Sequence, residues 1–527
     1  MFYRIGHFAA RRRRLVVLLW LLVFVISAPL VPRLPSVLKV GGFTSPHTES
    51  AQARAVLEAE LDGFAPSSLV VIFQSDELRA TDPAFVAAAE LSLSRVMSHP
   101  DVVGATRFIE NPAQISKDGD TAYTLVQLDL SPEEAQRVLP EIRARLLDTG
   151  LETTVAGAPA FFEDVERLSE QDLRRAEVFA IPFALLALVF VFGTLMGAGV
   201  PLVVGAFSVA TVLGLLFVVG HYVDLSIFVL NLTTMLGLGL AIDYSLFMTS
   251  RFREELKHRE IDEAVAVTVA TAGQAVFYSG LTVMIGLSGL ALFDIMFLRS
   301  VGIAGLFVVA MSLLGALTLL PAVLAFVGPR IESLRIFGRG PIGEGTFWVR
   351  LSSVVMARPW AVFLPTVALL LSLGLPFLDA RLSSPDASIL PARTDSRRGA
   401  DILVNEFNEG EISPVMIAVK TSGPVNAPEQ LAALWDFTRR LAADERVMRI
   451  DSIVTVDPRL TLAQYELLYR QPDRLDDPLL GPAYRRLASD DTAAVLVYTR
   501  DPSNSAASRD LVRDIRAYPH PSGMRVL

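Results

Sequence analysis

The sequence contains no cysteine. That excludes disulfides and thiolate metal sites, and it leaves the compartment open, because exported and cytosolic domains can both lack the residue. Its six histidines are scattered, and no His/Asp/Glu cluster has metal-ligand spacing. No G-x-x-x-x-G-K-[ST] stretch occurs, and "GRGPIGEG" at 338–345 has neither a lysine nor a preceding strand, so it is a poor phosphate loop. An ATP engine is therefore not expected, and nothing points to an enzyme or to a bound cofactor. Basic faces are scarce as well. The net charge is -9 and the concentrated basic run is Arg11 to Arg14, which argues against a nucleic-acid partner.

What the chain has instead is apolar sequence in blocks: 52% hydrophobic residues and a mean hydropathy of +0.45 over 527 residues. This is the composition of a membrane protein. Windows of about 20 apolar residues, the length that crosses a ~30 Å hydrocarbon core, fall at roughly 15–32, 176–197, 199–221, 225–248, 273–297, 301–327 and 359–378. The first resembles a signal peptide in its basic start. Yet "LVVLLWLLVFVISAPLV" is as long as a span and no A-x-A site precedes Pro32, so it reads as an uncleaved helix.

Arg11–Arg14 before the first span would hold the N-terminus in the cytoplasm by the positive-inside rule. Counting crossings from there puts 33–175 and 379–527 outside. The loop "SRFREELKHREIDEA" and the segment 328–358, with Arg330, Arg335, Arg339, Arg350 and Arg358, then both fall inside. Two independent basic loops agree.

The two long polar segments look like copies. "TESAQARAVLEAELDGFAPSSLVVIF" aligns with "TDSRRGADILVNEFNEGEISPVMIAV" at an offset of about 346 residues, and "DTAYTLVQLDLSPEEAQRVLPEIRARL" with "DTAAVLVYTRDPSNSAASRDLVRDIRA" at about 371, which leaves an insertion near 457–488. Each reads helix–strand, then strand–helix, with alternation in "LVVIF" and "YTLVQLDL". That pattern suits a small α+β sandwich with helices on one face of a sheet.

One stretch inside the apolar blocks is chemically unlike the rest: "GLGLAIDYSLFMTSRFREEL", Gly237 to Leu256. A carboxylate in hydrocarbon is costly without work or a partner. Asp243 lies about two helical turns in from the polar cluster Ser250, Arg251 and Arg253, a depth at which a proton is held or released as water access changes. Tyr244 can donate a hydrogen bond to a carboxylate or accept one from a carboxylic acid. The bland counterpart is a neutral, hydrogen-bonded acid with a structural role. Gly237 and Gly239 remove bulk where a neighbouring helix could approach, which is also what plain packing needs. Ser279 and Thr282 in the fifth span could reach Asp243, although such hydroxyls often bond back to their own helix. Asn231, Thr233 and Thr234 stand for a wet path or a helix break. Arg251 and Arg253 read as headgroup anchors, Asp224 and Asp294 as boundary residues, and Phe64, Phe73, Phe161 and Phe162 as core with a lesser claim to substrate contact.

"GLGLAIDYSLFMTSRFREE", together with "AGQAVFYSGLTVMIGLSGLALF" in the fifth span and the order of spans and polar segments, resembles the MMPL family within the resistance–nodulation–division (RND) superfamily of membrane exporters. The resemblance implies an α-helical polytopic membrane protein with two external α+β domains of ferredoxin-like, porter type, and about one and a half units of an RND-type internal repeat. The implied layout is a first transmembrane helix in 1–32, a first porter domain in 33–175, a five-helix block in 176–327 similar to a sterol-sensing domain, a cytoplasmic linker in 328–358, a seventh helix in 359–378 and an incomplete second porter domain in 379–527. The implied activity is proton-driven export of lipids or other hydrophobic molecules across a bacterial cell membrane. Asp243, Tyr244 and Ser279 would form the relay, Gly237 and Gly239 its packing, and an Asp-Tyr pair on a tenth span its other half; that span is not in this sequence. The implied partners are a hydrophobic substrate, protons and membrane lipids, with trimer and monomer both open. A lipid-sensing or accessory protein and a protein-translocation subunit are the alternatives.

Overall fold

The computed structural model describes all residues except 44, 46, 62, 63, 337–345, 380–385, 408–412, 473, 474, 476, 502–504 and 520–522. The glycine-rich stretch at 338–345 lies outside the described residues. The chain divides into two compact units, Met1–Phe43 with Leu168–Leu382 and Thr44–Arg167 with Ser383–Leu527.

Among the described residues, seven helices are long and apolar enough to cross a membrane: Arg13–Val37, Ala158–Phe192, Leu195–Val219, Val229–Glu255, Ile261–Leu290, Met296–Glu332 and Pro359–Leu378. They are called the first to seventh spans below. The molecule is thus a predominantly helical, polytopic membrane protein. Among the helices that overrun their apolar windows, the second begins in the amphipathic run "APAFFEDVERLSEQDLRR" and the fifth in the charged "IDEAV". Helical period outlasts hydropathy there, because the first turns are amphipathic rather than apolar throughout.

In the first unit, a short helix α1 (Phe2–Arg11) precedes the first span and is separated from it by a non-helical Arg12. Its small residues Gly6, Ala9 and Ala10 are buried. A Cβ on Gly6 would come within 2.9 Å of Ala266 Cα, so glycine permits the close approach of α1 to the base of the fifth span. Thr194 starts the third span by accepting from the Gly197 N–H while its own hydroxyl donates to the Ile331 carbonyl at 2.9 Å. The fifth and sixth spans each carry one π-helical turn, Val269–Gly273 and Gly315–Leu319. No residue of the seventh-span helix Pro359–Gly374 is buried.

The second unit contains two four-stranded antiparallel sheets. The first is built from β1 (Ser67–Gln74), β2 (Val102–Thr106), β3 (Thr121–Leu128) and β4 (Glu152–Ala156) in the order β2-β3-β1-β4. The second is built from β5 (Val415–Thr421), β6 (Val447–Asp451), β7 (Thr492–Thr499) and β8 (Met524–Val526) in the order β6-β7-β5-β8. The connectivity is the same in both. The helices that cover the sheets are α2 (Glu49–Glu60), α3 (Pro83–Leu93), α4 (Pro132–Arg145), α5 (Asp395–Glu406), α6 (Pro428–Ala442) and α7 (Ala506–Ala517), and the inserted segment of the second sheet adds two short helices, Leu462–Leu468 and Leu480–Leu487. α4 starts on a capping box in which Ser131 and Glu134 satisfy each other's backbone N–H.

The leading helices are exchanged. α2 buries Ala53, Leu57 and Leu61 in the core of the second sheet. α5 buries Leu403, and Phe407 after it, against Val70, Ile72 and Ala156 of the first. Each sheet is therefore covered on both faces, which corrects the expectation of helices on one face: Leu69, Val71 and Phe73 turn to α3 and α4, while Val70 and Ile72 turn to α5. The cross-links match as well. Gln74 of β1 donates to Glu406 of α5 at 3.2 Å, and Lys420 of β5 pairs with Glu60 of α2 at 2.8 Å, both residue pairs standing at the 346-residue offset. Arg143 pairs with Asp395 at 2.9 Å, and Arg516 with Glu49 at 2.6 Å.

Candidate functional site: the two faces of the fourth span

The fourth span, Val229–Glu255, is one uninterrupted helix with two unlike faces. On one, Gly237, Ala241, Tyr244, Ser245, Met248, Thr249 and Phe252 are buried. On the other, Met235, Gly239, Asp243 and Phe247 recur every four residues and are all exposed. That spacing sets them one above the other along the helix. Asp243 is thus an acid in an outward-facing stripe, above Phe247, which is 53% exposed, and below Met235, at 60%. Among the described residues it has no hydrogen-bond or ion-pair partner.

Tyr244, the next residue, turns the opposite way. It is 4% exposed and sits in the cluster that holds Val200, Ala272, Val276 and Leu313. Its hydroxyl has no hydrogen-bond partner among the described residues. The two π-turns belong to the same neighbourhood: a Cβ on Gly273 would lie 3.1 Å from Leu317 and 3.5 Å from Met248. π-turns often mark functional stretches of a helix.

The remaining candidate residues separate. Gly237 is a packing glycine, since a Cβ there would meet Val209 at 2.9 Å and Val308 at 3.6 Å. Gly239 is not: a Cβ would meet nothing within 4 Å, because the residue lies on the outward stripe. Ser279 is exposed, beside the exposed Tyr278, and no hydrogen bond joins it to Asp243 among the described residues. Thr282 bonds back to the Tyr278 carbonyl at 2.9 Å. Thr234 does the same to Leu230 at 3.0 Å. Arg253 is not a headgroup anchor. It donates to the Phe192 carbonyl at 2.9 Å and faces Glu332 at 3.6 Å, tying together the ends of the second, fourth and sixth spans. Asp224 pairs with Lys39 at 2.9 Å, as suits a boundary residue, and Phe73 is fully buried core.

Of the inner-face hydroxyls, sequence reasoning singled out Thr233 and missed the others. Thr233, Ser245 and Thr249 on the fourth span, Ser208 on the third and Ser312 on the sixth are buried and have no partner among the described residues. A buried hydroxyl left unpaired costs about 1–3 kcal/mol, so an interior lined with them can accept water or a proton donor. The one signal for them was the Ser245–Thr249 spacing of four, one position beyond Tyr244, which places both on the inner stripe.

The MMPL family profile matches residues 42–362, more than half of the chain. The chain belongs to the MMPL family. A membrane protein of Streptomyces coelicolor is 32% identical over 436 residues, covering 81% of this chain and 61% of that protein. The mycolic acid-containing lipids exporter MmpL11 of Mycolicibacterium smegmatis is 30% identical over 473 residues, 86% of this chain and 48% of its own length. The trehalose monomycolate exporter MmpL3 of the same organism is 27% identical over 424 residues, 72% and 42% respectively. This MMPL chain spans about half the length of the curated relatives it matches. The two mycobacterial relatives are named as exporters.

Proposed function

We propose that this chain forms the proton-carrying first part of an exporter that moves lipids or other large hydrophobic molecules across the bacterial cytoplasmic membrane. The outward placement of Asp243 carries the reading. A charged residue near the middle of a spanning helix costs roughly 2.5–3.5 kcal/mol on insertion scales, and among the described residues Asp243 has no hydrogen-bond or ion-pair partner to offset that. It therefore works against a second helical surface that covers the Met235–Gly239–Asp243–Phe247 stripe, where protonation and deprotonation change how the two surfaces meet. Tyr244 and the inner hydroxyls Ser245 and Thr249 offer hydrogen-bonding positions on the opposite face. Ser279 extends the outward face on the fifth span.

The same reading places the N-terminus in the cytoplasm and the residues around the two sheets outside. It treats those sheets as duplicated porter-type domains of a repeat; the shared strand order and the contacts at matched offsets support this. The names of the MmpL11 and MmpL3 relatives support a lipid class of substrate.

The test is efflux of a fluorescent lipid from cells whose chromosomal gene carries Asp243→Asn. The expected result is loss of at least about tenfold in rate, with unchanged amounts of protein in the membrane; one missing proton-transfer group is typically worth 10²–10⁴ in rate. Undiminished efflux would sink the relay role.

A further inference from the structure

We infer that α1 and the arginines around its end form a docking surface for anionic phospholipid headgroups. The buried side of α1 is built from small residues pressed onto the base of the fifth span, and Phe2 meets Phe277 with ring centroids 5.4 Å apart. The opposite side is laid out differently. Arg4 and Arg11 are seven residues apart, hence on one helical face, and both are exposed. Tyr3 and Phe8 flank them at 46% and 53% exposure. Arg12 and Arg14 continue the exposed positive charge into the first span, whose own surface shows Leu15, Leu18 and Leu19.

None of Arg4, Arg11, Arg12 and Arg14 has an ion-pair partner among the described residues. Arg13, between them, is used internally: it donates to the Ala325 carbonyl at 2.7 Å and lies over the Phe326 ring at 5.4 Å. The surrounding protein thus anchors one arginine and leaves four free. Cations flanked by aromatic side chains, on a helix running into an apolar span, match the chemistry of a bilayer surface, where a positive group beside a lipid phosphate gains about 1 kcal/mol. A free protein partner would not require the adjoining exposed leucines. The inference needs the spans to lie in a bilayer and does not depend on the relay, so Asp243→Asn leaves it untouched.

The experiment purifies the full chain from bilayer nanodiscs that mix phosphatidylcholine with phosphatidylglycerol, and reads the retained lipid by native mass spectrometry. Phosphatidylglycerol is expected to be retained over phosphatidylcholine, with the preference falling roughly fivefold for each arginine neutralised in Arg4→Gln, Arg11→Gln and Arg12→Gln. Arg4→Gln alone, which leaves the run beside the first span intact, should show one such step with the fold unchanged by circular dichroism. The pair Arg350→Gln and Arg358→Gln, on another basic segment, should keep the full preference. The proposal is overturned if the triple variant retains phosphatidylglycerol as the parent does, or if the control pair loses as much. Erasure of the preference by added inorganic phosphate, with no lipid dependence, would assign the site to a free anion instead and equally overturn it.

Discussion

The two sheets of the second unit share strand order, exchanged leading helices and matched cross-links, and one place where they differ is the N-terminus of the exchanged helix. On the first sheet, α5 begins against Asp164, a fully buried carboxylate that accepts from the Ser396 N–H at 3.1 Å and its hydroxyl at 2.5 Å while also meeting Arg167. On the second, α2 caps itself through Thr48, and a cavity of about 530 Å³ lies alongside, lined by Thr48, Glu49, Leu57, Ile515, Arg516 and Val526. The same architecture therefore tolerates a closed end and an open one. The contacts common to both sheets, Gln74 with Glu406 and Lys420 with Glu60, are what hold an exchanged helix in register.

The largest expected effect comes from removing the closed end. Asp164→Ala strands the Ser396 N–H in a buried site and should destabilise the first sheet by about 3 kcal/mol, within the range for charged hydrogen bonds. Hydrogen exchange of the full chain should show it as faster exchange in α5. Thr48→Ala at the open end removes an ordinary cap and should cost only about 1 kcal/mol, read in α2. Equal effects at both ends would remove the distinction. Next in size is Gly399→Ala. Its Cβ would fall 2.5 Å from Ala156 Cβ, so α5 must lift from β4, and overpacking of this kind costs about 1–3 kcal/mol. The counterpart Ala53 already carries a Cβ while being 4% exposed, so α2 sits less tightly on its sheet. Ala53→Gly should lose the helix-propensity difference, about 1 kcal/mol, and the burial of one methyl, about 0.8 kcal/mol.

Hydropathy and period made the seven spans legible, and the offset between the two similar polar segments made the matching elements of the two sheets legible. The exchange of α2 and α5 was not, because Ala53, Leu57 and Leu61 present the same apolar stripe whichever sheet receives it. Alternation in "LVVIF" suggested a half-buried strand; the second covered face follows from a helix more than 300 residues away in sequence, beyond any local signal. In the membrane block, Asp243 was conspicuous by chemistry, while its direction was set by the packing of Gly237 and Ala241 on the other face. The same packing divides Gly237 from Gly239, two residues with identical sequence character and opposite surroundings.

The smallest predicted effect separates the two matched cross-links by pH. Glu60 is held below the usual carboxylate range, first by its hydrogen bond from Lys420, then by that from Thr492, against the opposing effect of burial. A folded-state pKa below the unfolded one means that the carboxylate adds stability above the unfolded value of 4.5, and that this contribution fades as pH falls through the folded value. The first sheet has an amide, Gln74, where the second has Lys420. Thermal unfolding of the full chain in detergent, followed by exchange at α2, should therefore lose stability on acidification below about pH 4.5, and Glu60→Gln should flatten that limb. The effect should be small, since the Glu60 side chain is 31% exposed and salt screens its pair with Lys420. Added salt should shrink the acid limb of the parent and leave the Glu60→Gln profile unmoved. An acid limb of the same depth in Glu60→Gln would place the titrating group elsewhere and leave the two cross-links electrostatically alike.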